Sequence, residues 1–114
     1  MAQDSQFLAF VLEGLQPLRG VSARRMFGGW GIYKDGVMFA LIAHETLYLK
    51  VDDGNRRAYE EADLPYFTYT EKGKPIRMPY CEAPPEGFDD PDILCAWARE
   101  AFAAALRSQK PKRK

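Results

Sequence analysis

His44 is the single histidine of the chain and stands beside Glu45 between two apolar runs. Imidazole can move a proton near neutral pH or bind a metal. Both jobs need partners at set spacing, such as a second histidine four residues on or a cysteine pair. The sequence supplies neither, so His44 reads as a solvated loop residue. Cys81 lies in a strand-like run, and Cys95 follows a helix start, where the dipole could lower a thiol pKa. The apolar pattern around both predicts buried, reduced thiols instead. Asp89, Asp90 and Asp92 resemble a weak cation cluster, but Pro91 sits among them and the glycine and glutamate of a calcium loop are missing. Helix capping is the better reading. With no Gly-x-Ser-x-Gly and no phosphate-loop sequence, no catalytic, metal or cofactor site is predicted.

Gly28-Gly29-Trp30-Gly31 is the remaining unusual stretch. A glycine-rich loop cradles phosphate when a helix starts directly after it. Here a strand-like run follows, so the glycines predict a bulge or a close backbone approach. Arg24, Arg25, Met26, Phe27, Gly28, Gly29 and Trp30, with Lys50, Arg77 and Tyr80, could converge into one basic and aromatic interaction surface. Stacked aromatics beside a cationic groove are what single-stranded nucleic acid needs. The competing reading buries Met26, Phe27, Tyr48 and Tyr80 and leaves the cations solvated. Charge favours the latter: Arg107, Lys110, Lys112, Arg113 and Lys114 close the chain and leave residues 1–106 with eleven cations against 16 anions. Such a body is a poor general binder of phosphate backbone.

The elements that would position these residues follow from periodicity. At 114 residues and 46% hydrophobic content, one domain with its own core is expected. No apolar run is long enough for a membrane span, and the first ten residues lack a basic signal-peptide start, which predicts a cytoplasmic protein. The centre is Met26 to Val51, read as a three-strand meander: Trp30–Tyr33, Val37–Ala43 and Leu47–Val51. Lys34-Asp35-Gly36 is a strong hairpin signal, and His44-Glu45-Thr46 is a second short break. Leu47, Leu49 and Val51 alternate with Tyr48 and Lys50, which puts the two sets on opposite faces.

Before the meander, Asp4 or Ser5 caps a helix to about Leu15, with Phe7, Leu8, Val11, Leu12 and Leu15 as its apolar stripe; Leu18 to Val21 reads as loop. After it, Asp52 or Asp53 caps a short helix over Asn55–Ala62. Tyr66–Thr70 and Ile76–Glu82 are strands around a turn, the second at an edge or around a bulge because Pro79 cannot donate to a ladder. Asp90 caps a last helix from Pro91 to about Arg107, with Leu94, Trp97, Ala98, Ala101 and Ala105 on its inner face, Ile93, Phe102 and Leu106 widening it, and Trp97 as anchor. The order α-β-β-β-α-β-β-α predicts an α+β two-layer domain: an antiparallel or mixed five-stranded sheet partly covered by helices. Residues 1–107 form that domain and residues 108–114 a basic, disordered tail.

The run from Arg25 through Met26-Phe27-Gly28-Gly29-Trp30-Gly31 to Ile42, with Leu47-Tyr48-Leu49-Lys50-Val51-Asp52, closely resembles the N-terminal domain of the TfoX/Sxy family. So do Phe67-Thr68-Tyr69, Met78-Pro79-Tyr80 with Glu82-Ala83-Pro84, and the helix from Leu94 to Leu106 with Trp97-Ala98-Arg99. The likeness covers about residues 5–106. It implies a small α/β domain with the element order above and no catalytic residues. It also implies kinship with bacterial regulators of natural competence, which act with the cyclic-AMP receptor protein at certain promoters. Those regulators carry a second, helical C-terminal domain, whereas this chain stops after its last helix and a basic tail. The expectation is a non-enzymatic regulatory module that binds a protein of the transcription machinery, or a second copy of itself, through a sheet edge or aromatic patch. Direct nucleic-acid binding by Arg24, Arg25, Lys50, Arg77 and the tail is the alternative. A small-ligand pocket near Gly28–Gly31 is a third reading, set back by the lack of converging polar groups.

Overall fold

The computed structural model describes residues 2–26 and 28–109. Helix α1 spans Ala2–Gly14 and a 3-10 turn spans Gln16–Leu18. Strands β1 (Val21–Met26), β2 (Gly29–Lys34), β3 (Val37–Ala43) and β4 (Thr46–Lys50) follow. Then come α2 (Arg56–Glu61), β5 (Tyr66–Glu71), β6 (Lys74–Glu82), α3 (Glu86–Asp89) and α4 (Pro91–Ser108). The six strands form one sheet in the order β1-β2-β3-β4-β6-β5, with every neighbouring pair antiparallel.

The expected α+β fold is present, with one strand more than the five predicted. The extra strand is Val21–Met26, read from sequence as loop and lead-in. Ser22, Arg24 and Arg25 are not strand formers by preference. The segment extends because it pairs residue for residue with β2, from Val21 opposite Lys34 to Met26 opposite Gly29. The bulge expected at the glycines lies just past them, where the β2–β3 register shifts between Ile32 and Tyr33.

Three hairpins turn on two residues in left-handed conformation: Asp35–Gly36 (φ 52° and 83°), His44–Glu45 (54° and 58°) and Lys72–Gly73 (54° and 79°). Such turns match the right-handed twist of the strands they join. Of the two placements expected for the Pro79 strand, the edge is ruled out, because β6 lies between β4 and β5, and the bulge is found. The missing donor is absorbed by an irregularity: the β5–β6 register jumps between Thr68–Arg77 and Tyr66–Cys81, while the Pro79 carbonyl still accepts from the Val51 amide at 2.9 Å.

The core lies on one side of the sheet. Val11 of α1, Leu15 just after it, and Leu94, Ala98, Ala101 and Ala105 of α4 pack on Ile32, Phe39, Ala40, Ile42, Leu47, Leu49 and Cys81. The alanines let α4 lie close to the strands, as expected. Trp97 is not the central anchor: it is half-buried at the flank, edge-on to Tyr59 with ring centroids 4.9 Å apart. Leu106 also falls off the inner face and is 48% exposed.

Helix α4 starts as predicted, with Asp90 Oδ1 accepting from the Asp92 amide at 3.0 Å and Pro91 in the first turn. Helix α2 does not, because neither Asp52 nor Asp53 is its cap. Asn55 stands at the boundary, buried, and turns its side chain back into the loop, Oδ1 accepting from the Asp52 amide and Nδ2 donating to the Lys50 carbonyl. Helix α1 begins before the expected cap, at Ala2, and stops at Gly14. The tail expected from residue 108 lies outside the described residues from residue 110 on, and Ser108 still belongs to α4.

Candidate interaction face

All the core-forming helices lie on one side of the sheet, and the opposite side carries its own set of side chains. Alternation and register assign it. In β1, Val21 and Ala23 pack on the core, so Ser22, Arg24 and Met26 point the other way. In β4, Leu47 and Leu49 are buried in the core, and Tyr48 and Lys50 point away, as the sequence alternation predicted. Leu41 is buried outside the core cluster. Phe67 faces Tyr48 at 4.8 Å between centroids and stacks on Tyr69 at 6.2 Å. A glycine at position 31 keeps this face clear: a Cβ there would lie 2.8 Å from Met26 Sδ, 3.1 Å from the Tyr33 ring and 3.2 Å from Met38 Sδ.

Toward the His44 end the bare face deepens into a cleft of about 550 Å³. Met26, Gly29, Leu41, Ala43, Phe67, Tyr69 and Met78 line it, together with His44, Glu71 and parts of Trp30 and Ile42. Gly29 is required by a close approach, since a Cβ on it would stand 2.0 Å from the Ile42 carbonyl oxygen.

The ten residues expected to form one surface are divided by the sheet. Arg24, Met26, Lys50 and Tyr80 belong to the bare face. Arg25 points to the helix side, its guanidinium 4.9 Å from the centre of the Trp30 ring, which packs on the core. Arg77 is on that side too, 4.1 Å from the centre of the Tyr66 ring. Gly28 is exposed in the β1–β2 turn at φ 76°, and Phe27 lies outside the described residues. Arg24 and Arg25 are adjacent in an extended strand, and this alone sends them to opposite faces.

Of the four cations expected in the surface, the two on the bare face are each seated on a ring, Arg24 over Tyr33 at 5.3 Å and Lys50 over Tyr80 at 5.2 Å. Burial lowers the Lys50 pKa, against the pull of Asp52, and burial raises that of Tyr80. Tyr48 is also raised, by burial and then by the Glu82 carboxylate.

The groups considered for catalysis are placed as follows. His44 is exposed in its turn, at the lip of the cleft. Cys81 is fully buried and its thiol is pushed up to about 11 by burial. Cys95 is buried and raised for the same reason, its Sγ 3.2 Å from the Gly14 carbonyl oxygen. Among the described residues, no three His, Cys, Asp or Glu side chains gather where they could hold a metal ion. No helix among them is long and apolar enough to cross a membrane.

Sequence reasoning missed Leu41, Phe67, Tyr69, Met78 and Glu71 as parts of one site. Only Phe67-Thr68-Tyr69-Thr70 carried a signal, a period of two that places both rings on one face. The gathering itself comes from strands far apart in sequence.

No curated protein matches the chain. A family model, the TfoX N-terminal domain, matches residues 13–105, which takes in every strand and most of α4. The chain therefore belongs to the TfoX N-terminal domain family.

Proposed function

We propose that this chain is a non-enzymatic regulatory module that works through its bare sheet face, engaging a protein of the bacterial transcription machinery. Family membership supports the regulatory part. The observation that carries the rest is the one-sided layering: helices cover one face, while Leu41, Phe67, Tyr69, Met26 and Met78 gather on the other around a cleft. A concave apolar patch bordered by polar residues is a common form of binding surface. A role in competence is the finer form of the same proposal.

The test is affinity capture from a bacterial lysate with two baits, the intact chain and Leu41→Lys, which puts a charge into the floor of the cleft. A stoichiometric partner held by the first and lost from the second is the expected result. Light scattering on both chains distinguishes a foreign partner from a second copy. A partner held equally by both, or none together with a monomer, overturns the reading.

Direct nucleic-acid binding draws less support from the geometry, because Arg24 and Lys50 on one face and Arg25 and Arg77 on the other do not form a single groove. Fluorescence anisotropy across a salt series tests it, since phosphate contacts are strongest at low salt.

A further inference from the structure

We propose that the cleft between Met26, Leu41 and the β5–β6 hairpin is a binding site for a small planar aromatic molecule carrying a cationic group. The inference rests on the reading of the bare face as the working surface and adds what that surface holds. Its volume of about 550 Å³ falls in the ~300–1,000 Å³ range of small-molecule sites. The His44–Glu45 turn, whose His44 lines the cleft, bounds one end.

The lining selects for a ring. Phe67 and Tyr69 are stacked at 6.2 Å and form one wall, and Tyr69 remains 39% exposed. Met26 and Met78 bring thioethers, which pack adaptably and favourably against aromatic edges. Leu41 contributes apolar floor.

The lining also selects a sign of charge. Among the described residues its ionisable groups are Glu71, His44 and the Tyr69 phenol, and none is a lysine or arginine. Arg24 and Lys50 share the face but sit on Tyr33 and Tyr80, outside the lining, and Lys74 stands opposite Glu71 in the hairpin without entering the cleft. A carboxylate beside two aromatic faces is suited to an ammonium carried by a ring and opposes a carboxylate in the same place.

The test is an amide NMR titration of the whole chain with tryptamine and, separately, with indole-3-propionate, which carries a carboxylate on an equal-length arm. The expected result is saturable shifts at Leu41, Ala43, Phe67 and Met78, with tryptamine about tenfold tighter than the propionate. Glu71→Gln should erase most of that difference while the ring still binds. Leu41→Trp should fill the cleft and abolish binding. If that variant loses its native spectrum, Tyr69→Ala at an exposed position should weaken tryptamine about fivefold. Shifts scattered over the whole surface, equal affinity for the two indoles in the unmodified chain, or no saturable shift with either overturns the proposal. The capture experiment does not depend on this titration, so a failed titration leaves the protein-partner reading standing on its own result.

Discussion

Arg107, in the last turn of α4, forks onto Asp52, in the loop after β4: Nε donates to Oδ2 at 2.7 Å and Nη2 to Oδ1 at 2.8 Å. The two residues are 55 positions apart, so the pair ties the end of the chain's last helix to the end of the meander. From sequence, Arg107 closes the last helix and begins the run of five closing cations, and Asp52 or Asp53 is a helix cap. The structure makes them partners, and the Gly54 amide is the carboxylate's third donor, reaching Oδ1 at 2.8 Å.

That arrangement predicts an acid-sensitive contact. Hydrogen bonding from Arg107 is the main cause that holds the Asp52 carboxyl at about 2, below its ordinary 3.8. A carboxyl depressed in the folded state contributes stability above its unfolded pKa and loses it as pH falls through the folded one. Thermal melts should therefore show Asp52→Asn less stable than the parent at neutral pH, with the gap closing as pH falls from about 4 to about 2. A gap that stays constant over that interval would rule the contact out as the cause.

Gly29 and Gly31 separate two ways of crowding a strand. Gly29→Ala drives a Cβ into the Ile42 carbonyl at 2.0 Å, backbone against backbone, and should cost about 3 kcal/mol or more. Gly31→Ala meets the Met26 and Met38 sulfurs and the Tyr33 ring edge, ends of movable side chains, and should cost about 1 kcal/mol. Urea unfolding of both variants checks the order, and equal losses would contradict it.

Both thiols should be silent in the native protein. Cys81 is fully buried with its pKa at about 11, and Cys95 is buried and raised. A thiol-reactive chromogen at mildly alkaline pH should label neither until denaturant is added, and then both. Rapid labelling of one equivalent under native conditions would show that a site opens locally.

Asp90→Ala removes the side-chain acceptor of the Asp92 amide and should lower stability by about 1 kcal/mol, with Asp90→Asn nearly neutral. Chemical denaturation measures both.

The sequence made legible whatever depends on near neighbours. The apolar stripe of α1, the cap at Asp90, the Asp35–Gly36 turn and the alternation of β4 all read correctly, because each is set within a few residues. What failed depended on partners far along the chain. Val21–Met26 is a strand because β2 lies beside it, and β6 is interior, around a bulge rather than at an edge, because β5 closes the sheet outside it. The expected surface failed for a local reason that was available: two adjacent arginines in an extended strand cannot share a face. The cleft was only partly legible. The glycines allow a pocket near Gly28–Gly31, and Met26, Gly29 and Trp30 do line one, but its other wall comes from residues 67–78.

The turn at His44–Glu45 stands apart from its two counterparts. The hairpins at 35–36 and 72–73 place a glycine at their second left-handed position, while this one forces two full side chains into that geometry. A glycine at position 45 would relax it by about 0.5–1 kcal/mol. Selection for heat resistance alone would favour a glycine at this corner, which is also the cleft's lip.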